Sequence, residues 1–148
     1  MTEEKFSYDR LPYANQLFTQ TFPDSFATVA RLNGLHSPDI ENARVLELGC
    51  GMGLNLISQA YTLPNAEFVG IDLAENHIEY ANKGVGELGL TNIEFRHVDL
   101  MDINVAEFGK FDYIFAHGLI SWVPNFVRDK TLSLYREMLT DKGVGVLS

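Results

Sequence analysis

Cysteine occurs once and tryptophan once in the 148 residues, and proline only five times. The lone cysteine, Cys50, cannot close an internal disulfide or build a thiolate metal site by itself, so a reducing cytoplasm is the expected location. Histidine is sparse as well. His36, His77 and His97 are dispersed along the chain, none pairs with another histidine at ligand spacing, and no metal is expected. Long apolar runs are missing, and Met1-Thr2-Glu3-Glu4-Lys5 has no hydrophobic stretch behind it. Neither a membrane anchor nor a secretory leader is therefore expected. Basic residues are few: eleven against twenty acidic ones, for a formal charge of -9. Such a surface repels polyanions, so nucleic acid is not an expected partner.

What is present is an ordinary globular balance, 46% hydrophobic and 21% charged, enough for one domain with a real core. Up to about Ser37 the chain is rich in aromatics: Phe6, Tyr8, Tyr13, Phe18, Phe22 and Phe26. Asp24 is placed to cap a helix with Phe26, Val29, Ala30 and Leu32 on one face, and Gly34 to end it. Residues 1–43 are read as a helical N-terminal segment. Tyr8 and Tyr13 lie in its strandless aromatic part and are candidates for a lid over a bound ligand.

From Arg44 the pattern becomes strand, turn, helix, repeated. Strands are expected at Arg44–Leu48, Glu67–Asp72, Ile93–Val98 and Phe111–Ala116, with a fifth beginning at Val144 after a turn at Thr140–Gly143. Helices are expected over about Leu54–Tyr61, over Glu75–Leu88 with Ile78, Ala81, Val85 and Leu88 at helical spacing, and over Asn125–Leu139 with Val127, Leu134 and Met138 on one stripe. Gly84 and Gly86 lower the intrinsic helicity of the second of these. Alternation of this kind demands a doubly wound α/β fold, a Rossmann-like parallel sheet covered on both faces, spanning residues 44–148. Ligands bind such sheets outside the carboxyl ends of the strands, where the winding reverses.

The turn after the first strand reads Val45-Leu46-Glu47-Leu48-Gly49-Cys50-Gly51-Met52-Gly53. Gly49, Gly51 and Gly53 remove side chains that would hold a ligand away from the backbone, and the loop presents free amides at a helix N-terminus. Cys50 contributes its backbone to that loop. A dinucleotide-binding loop would place its third glycine at position 54, which is Leu54, and the Gly-Lys-Ser/Thr ending of a P-loop is absent. Glu47 puts a carboxylate beside the ligand, unsuited to a pyrophosphate but suited to a cation. Asp72, closing Gly70-Ile71-Asp72, can accept both hydrogen bonds of a ribose diol. His117 ends the fourth strand, where it could orient a nucleophile, take a proton or line the cofactor site.

These segments, with His97-Val98-Asp99 and Phe111-Asp112-Tyr113-Ile114, resemble the successive motifs of class I S-adenosylmethionine-dependent methyltransferases. The resemblance implies that Glu47 and the glycines border the methionine part of the cofactor and that Asp72 holds the ribose hydroxyls. It also implies that Asp99 approaches the adenine amino group, with Leu73 and Leu100 against the adenine faces. Tyr8-Asp9-Arg10-Leu11-Pro12-Tyr13, Gln20-Thr21-Phe22-Pro23, Ala116-His117-Gly118 and Ser121-Trp122-Val123-Pro124 are similar to a bacterial group whose catalytic domain precedes a methyltransferase regulatory domain. That group includes protein-lysine methyltransferases. Its more usual Gln-Thr-His-Pro is Gln-Thr-Phe-Pro here.

The implied reaction is methyl transfer from S-adenosylmethionine, leaving S-adenosylhomocysteine, to an unidentified acceptor: a small molecule or a protein side chain such as lysine. A non-catalytic S-adenosylmethionine-binding module and an NAD-dependent oxidoreductase are the alternative readings. Class I methyltransferases continue through a further helix and two more strands, so the resemblance implies that this chain is truncated after its fifth strand. An edge strand exposed in that way invites pairing with a second copy as a homodimer.

Overall fold

The computed structural model describes residues 16–148. Five strands, β1 (Arg44–Leu48), β2 (Glu67–Asp72), β3 (Ile93–His97), β4 (Phe111–Ala116) and β5 (Leu139–Leu147), alternate with helices. The helices are α1 (Pro23–Leu32), α2 (Leu54–Thr62), α3 (Glu75–Leu88), α4 (Val105–Phe108) and α5 (Asn125–Met138). The sheet is parallel throughout, in the order β3-β2-β1-β4-β5. The chain thus winds outward from β1 to β3, then returns past β1 to lay down β4. In sheets wound this way ligands bind outside the carboxyl ends of the strands where the winding reverses, here β1 and β4.

Alternate side chains of each strand feed two cores, as the two-residue period of a strand requires. Val45, Phe68, Tyr113 and Phe115 pack with Phe26 of α1, Leu56 and Ile57 of α2 and Ile78 of α3. Leu46, Leu48, Val69, Ile71 and Ile114 pack on the other face with Phe108 of α4 and Leu134 and Met138 of α5. Glu47 falls in phase with Val45 and so points to the α1–α2 side.

The structure departs from expectation in α1, α3, β3 and β5. The N-cap of α1 is Phe22, with Pro23 leading the helix and Asp24 in its first turn. Proline fixes the entry dihedral without needing its missing N–H, and the Asp24 carboxylate accepts the neighbouring Ser25 N–H instead (2.8 Å). The face turned inward is Phe26, Ala27 and Ala30, whose small side chains let the helix approach the sheet; Val29 and Leu32 are 60% and 82% exposed. Gly34 does end the helix, with φ +76°. Gly34 N–H bonds Arg31 O and Leu35 N–H bonds Ala30 O, both at 3.0 Å, satisfying carbonyls the helix leaves open.

The α3 helix runs unbroken through Gly84 and Gly86. At Gly84 a Cβ would stand 3.3 Å from Ile57 Cδ1, so the glycine lets α2 and α3 pack closely. Leu88 is exposed, unlike Ile78 and Ala81. Thr140–Gly143 belongs to β5 and does not precede it. Pairing jumps from Phe111↔Leu139 to Tyr113↔Val144, so these four residues ride out as a bulge. Thr140 Oγ1 bonds Asp112 Oδ1 there (3.1 Å). The third strand closes one residue early, at His97.

Tyr113 anchors the segment between α1 and β1: its hydroxyl donates to Pro38 O at 2.7 Å. Tyr113→Phe is expected to cost about 1 kcal/mol through that one bond, read as a lower urea midpoint at unchanged m-value.

Candidate functional site

The loop from Gly49 to Gly53 turns β1 into α2, with Gly53 as the N-cap. Both Gly49 N–H and Cys50 N–H donate to Ile71 O, at 2.8 and 3.0 Å. Gly51 N–H donates to Asp72 Oδ2 at 2.7 Å, so the loop is fastened to β2 along its length. All three glycines have positive φ, +76°, +55° and +75°, which other residues rarely adopt. Their surroundings separate them. A Cβ on Gly49 would meet Leu119 at 3.2 Å, and one on Gly53 would lie 2.5 Å from Phe95 Cζ and 2.9 Å from Ala81 Cβ. A Cβ on Gly51 would meet nothing within 4 Å. Gly53 is therefore required by helix–sheet packing, and Gly51 presents bare backbone to open space.

Glu47, two residues before the loop, is only 5% exposed. Its Oε2 has no hydrogen-bond partner among the described residues. Burial pushes the carboxyl up to about 8; the Asn55 amide lowers it and the Asp72 charge raises it further. Asp72 closes β2, its Oδ1 accepting Ala74 N–H at 2.9 Å while Oδ2 holds Gly51. A carboxylate offers roughly four lone-pair positions, so two remain for a diol. Leu73 beside it is exposed, and its carbonyl meets His97 Nε2 at 3.0 Å.

Asp99 follows β3 and caps a short turn over Leu100–Asp102, Oδ1 accepting Met101 N–H at 2.9 Å. Its other oxygen is uncommitted among the described residues, and Leu100 packs partly against the α5-side core. Cys50 is buried, and desolvation, then the charges of Glu47 and Asp72, raise its thiol well above the usual range. It is no nucleophile in that setting. His117 follows β4, two residues past Phe115, the partner of Glu47 in the β1–β4 ladder. Its Nδ1 lies 2.7 Å from Ser148 Oγ, and its ring packs on Phe18 with centroids 4.2 Å apart. Tyr8 and Tyr13 lie outside the described residues.

The strand ends therefore bring Glu47, the glycines, Asp72, Leu73, Asp99, Leu100 and His117 to one edge of the sheet. Four residues escaped the sequence reading. Asn55 and Gln59 of α2, with Thr21, form a buried polar cluster on the Glu47 side. His77 is buried, with Nδ1 unpartnered and 3.8 Å from Asp72 Oδ1. Its position three residues into α3, where Cβ atoms tilt back toward the helix start, was the available signal.

Residues 39–148 match the family model described as a methyltransferase domain. The chain belongs to that family. The methyltransferase domain is 48% identical, over 95% of its length, to an uncharacterised protein of Rickettsia prowazekii, of which it spans 25%. It is also 30% identical over 98 residues to the ubiquinone biosynthesis O-methyltransferase of Leptothrix cholodnii, covering 66% of this chain and 37% of that protein. Among solved structures, PKMT2 from Rickettsia typhi in complex with AdoHcy superposes with a TM-score of 0.87 at 36% identity, covering 90% of this chain and 26% of that one. The domain thus spans about a quarter of the length of the first-matched protein and of PKMT2.

Two outcomes follow from this geometry. Gly53→Ala is expected to cost about 3 kcal/mol, from a strained positive φ plus overpacking against Phe95, whereas Gly51→Ala costs about 1 kcal/mol; thermal unfolding of the pair checks the difference. The second concerns Glu47, whose folded carboxyl titrates near 8 against 4.5 for the free group. Folded protein binds this proton more tightly, so the stabilisation is complete below the unfolded value and is lost as pH rises through the folded one. Ligand-free protein should lose stability between pH 5 and 8 by up to about 1.4 kcal/mol per pH unit from this group. Glu47→Gln should flatten that slope, and identical slopes would contradict the assignment.

Proposed function

We propose that this methyltransferase domain binds S-adenosylmethionine across the carboxyl ends of β1, β2 and β3 and delivers its methyl group to an acceptor beside β4. The observation that carries the reading is the unpartnered oxygen of buried Glu47. A buried carboxylate lacking a partner is costly, and a cationic ligand removes the cost. A nicotinamide dinucleotide would set its pyrophosphate against that carboxylate.

S-adenosylmethionine supplies a methyl group already activated by positive sulfur. The chain's own residues bind and orient. Glu47 offers its free oxygen to a cationic group of the methionine part, and Gly51 lets the backbone come close. Asp72 has lone pairs left for the ribose hydroxyls, Asp99 has an uncommitted oxygen for the adenine amino group, and Leu73 and Leu100 supply apolar surface for its faces. Holding donor and acceptor in line and excluding water is the principal contribution, because little acid or base chemistry is needed. An amine acceptor must attack in its neutral form. In the tautomer whose Nδ1–H donates to Ser148 Oγ, His117 has Nε2 to receive that proton.

For the acceptor, the similarity of the motifs around Ala116-His117-Gly118 to a group that includes protein-lysine methyltransferases supports a protein lysine. The buried single thiol supports a cytoplasmic setting, and no helix among the described residues is long and apolar enough to cross a membrane.

Titration calorimetry tests the cofactor: S-adenosylhomocysteine should bind and NAD should not. Asp72→Ala should weaken that binding by about 1–3 kcal/mol through lost charged hydrogen bonds. Saturable NAD binding in its place would overturn the reading. Methyl-labelled cofactor, full-length protein and a cell lysate test the transfer. Label recovered as methyl-lysine after hydrolysis supports the acceptor, and binding without any transfer would make this a non-catalytic module.

A further inference from the structure

The N-terminal stretch Phe18–Thr21 crosses the site. It forms a short turn over Thr19–Thr21 just before α1. One side chain of α2 holds it at both ends: Asn55 Oδ1 accepts Phe18 N–H (3.2 Å), and Asn55 Nδ2 donates to Thr21 Oγ1 (2.8 Å). Gln59, one turn later, donates Nε2 to Thr21 O at 3.3 Å. Thr21 Oγ1 in turn donates to Phe18 O at 2.7 Å. At its far side the stretch reaches β4, where the Phe18 ring packs on His117. It therefore ties the first turn of α2 to the end of β4, strands β1 and β4 being neighbours in the sheet.

Asn55, Gln59, Thr21 and Glu47 are all buried. Two buried oxygens in this cluster, Glu47 Oε2 and Gln59 Oε1, lack a partner among the described residues. Buried acceptors of this kind are rare in native proteins, and a pair on the same side of the sheet marks a place prepared for a donor that comes from outside. An amide is the side chain able to hold an N–H and a hydroxyl at once while carrying no charge of its own. A carboxylate at position 55 would repel Glu47, and an apolar residue would leave Phe18 N–H without its acceptor and Thr21 Oγ1 without its amide donor.

We propose that Asn55 is a positioning residue for the cofactor site: it docks Phe18–Thr21 over the Glu47 side of β1 and so keeps water from that carboxylate until a cation arrives. This rests on the cofactor reading above. The consequence is that cofactor binding releases a proton from Glu47, because the carboxyl is held protonated in the covered, ligand-free site and ionises against the ligand's charge. The titratable groups that couple to Glu47 among the described residues are Asp72 of β2, Cys50 of the loop and Tyr135 of α5. None is a cation, so none substitutes for the ligand.

The test counts protons released when S-adenosylhomocysteine binds at pH 7, by calorimetry of full-length protein in two buffers of different ionisation enthalpy. Wild type should release most of one proton and Glu47→Gln none. Asn55→Ala should bind about tenfold more weakly and release far fewer protons, since the water admitted to Glu47 relieves the burial that raises its carboxyl most and outweighs loss of the Asn55 amide that lowers it. Thr21→Val, which leaves α2 untouched, should shift both readouts in the same direction and decides the matter if Asn55→Ala fails to fold. Equal release by wild type, Asn55→Ala and Thr21→Val, with Glu47→Gln still at zero, overturns the role of Asn55 while sparing the cofactor reading. Release by Glu47→Gln equal to wild type overturns the inference while sparing the cofactor reading, and no binding of S-adenosylhomocysteine at all overturns both.

Discussion

A buried acid, one of whose oxygens has no hydrogen-bond partner among the described residues, is the constraint around which this site is arranged. Glu47 sits on β1 in phase with Val45, so the strand's alternation directs it into the α1–α2 side of the sheet, between an apolar core and the buried Asn55, Gln59 and Thr21. Ionising an isolated carboxyl in such surroundings costs several kcal/mol, which is why burial lifts its titration toward neutrality. The charged groups nearby worsen the problem, since Asp72 is also acidic. No described cation relieves it. A protein that keeps an acid in this position has left a place for positive charge, and the methyl donor of this family carries positive charge at sulfur and at nitrogen.

The rest of the edge is built to hold that place still. Parallel winding reverses between β1 and β4, and the glycine loop at the end of β1 is fastened to β2 through Ile71 and Asp72. Asp72 has two tasks at once: one oxygen fastens Gly51, the other starts α3 through Ala74. Because both backbone donors use only part of its capacity, the same carboxylate can structure the loop and still receive a diol. The three glycines divide in a similar way. Gly53 makes room for Phe95 inside the protein, Gly49 lies under Leu119, and Gly51 alone opens outward.

Much of the fold was legible because parallel strands buried on both faces read as short apolar runs, and Phe111–Ala116, for example, stood out with its bounds intact. The glycine spacing with Glu47 and Asp72 likewise carried its own chemical meaning. Legibility failed where tertiary contacts decide. Helical periodicity alone could not tell that α1 would dock through Ala27 and Ala30 with Val29 outside, because the close approach to the sheet favours small side chains. The bulge at Thr140–Gly143 has the composition of a turn, and its membership of β5 comes from pairing with β4. Asn55, Gln59 and Thr21 were invisible as a cluster since 34 residues separate Thr21 from Asn55. His77 looked like one of several dispersed histidines until Asp72 appeared 3.8 Å from its ring nitrogen.

The account turns on the charge state of Glu47, so the most direct measurement is a carbon-detected NMR titration of that carboxyl, assigned by comparison with Glu47→Gln, with and without S-adenosylhomocysteine. The predicted midpoint is about 8 in the ligand-free protein, falling to the ordinary carboxylate range of about 4–5 when the ligand's ammonium is bound. A midpoint in the ordinary range in both states, or one that the ligand leaves unmoved, would contradict it.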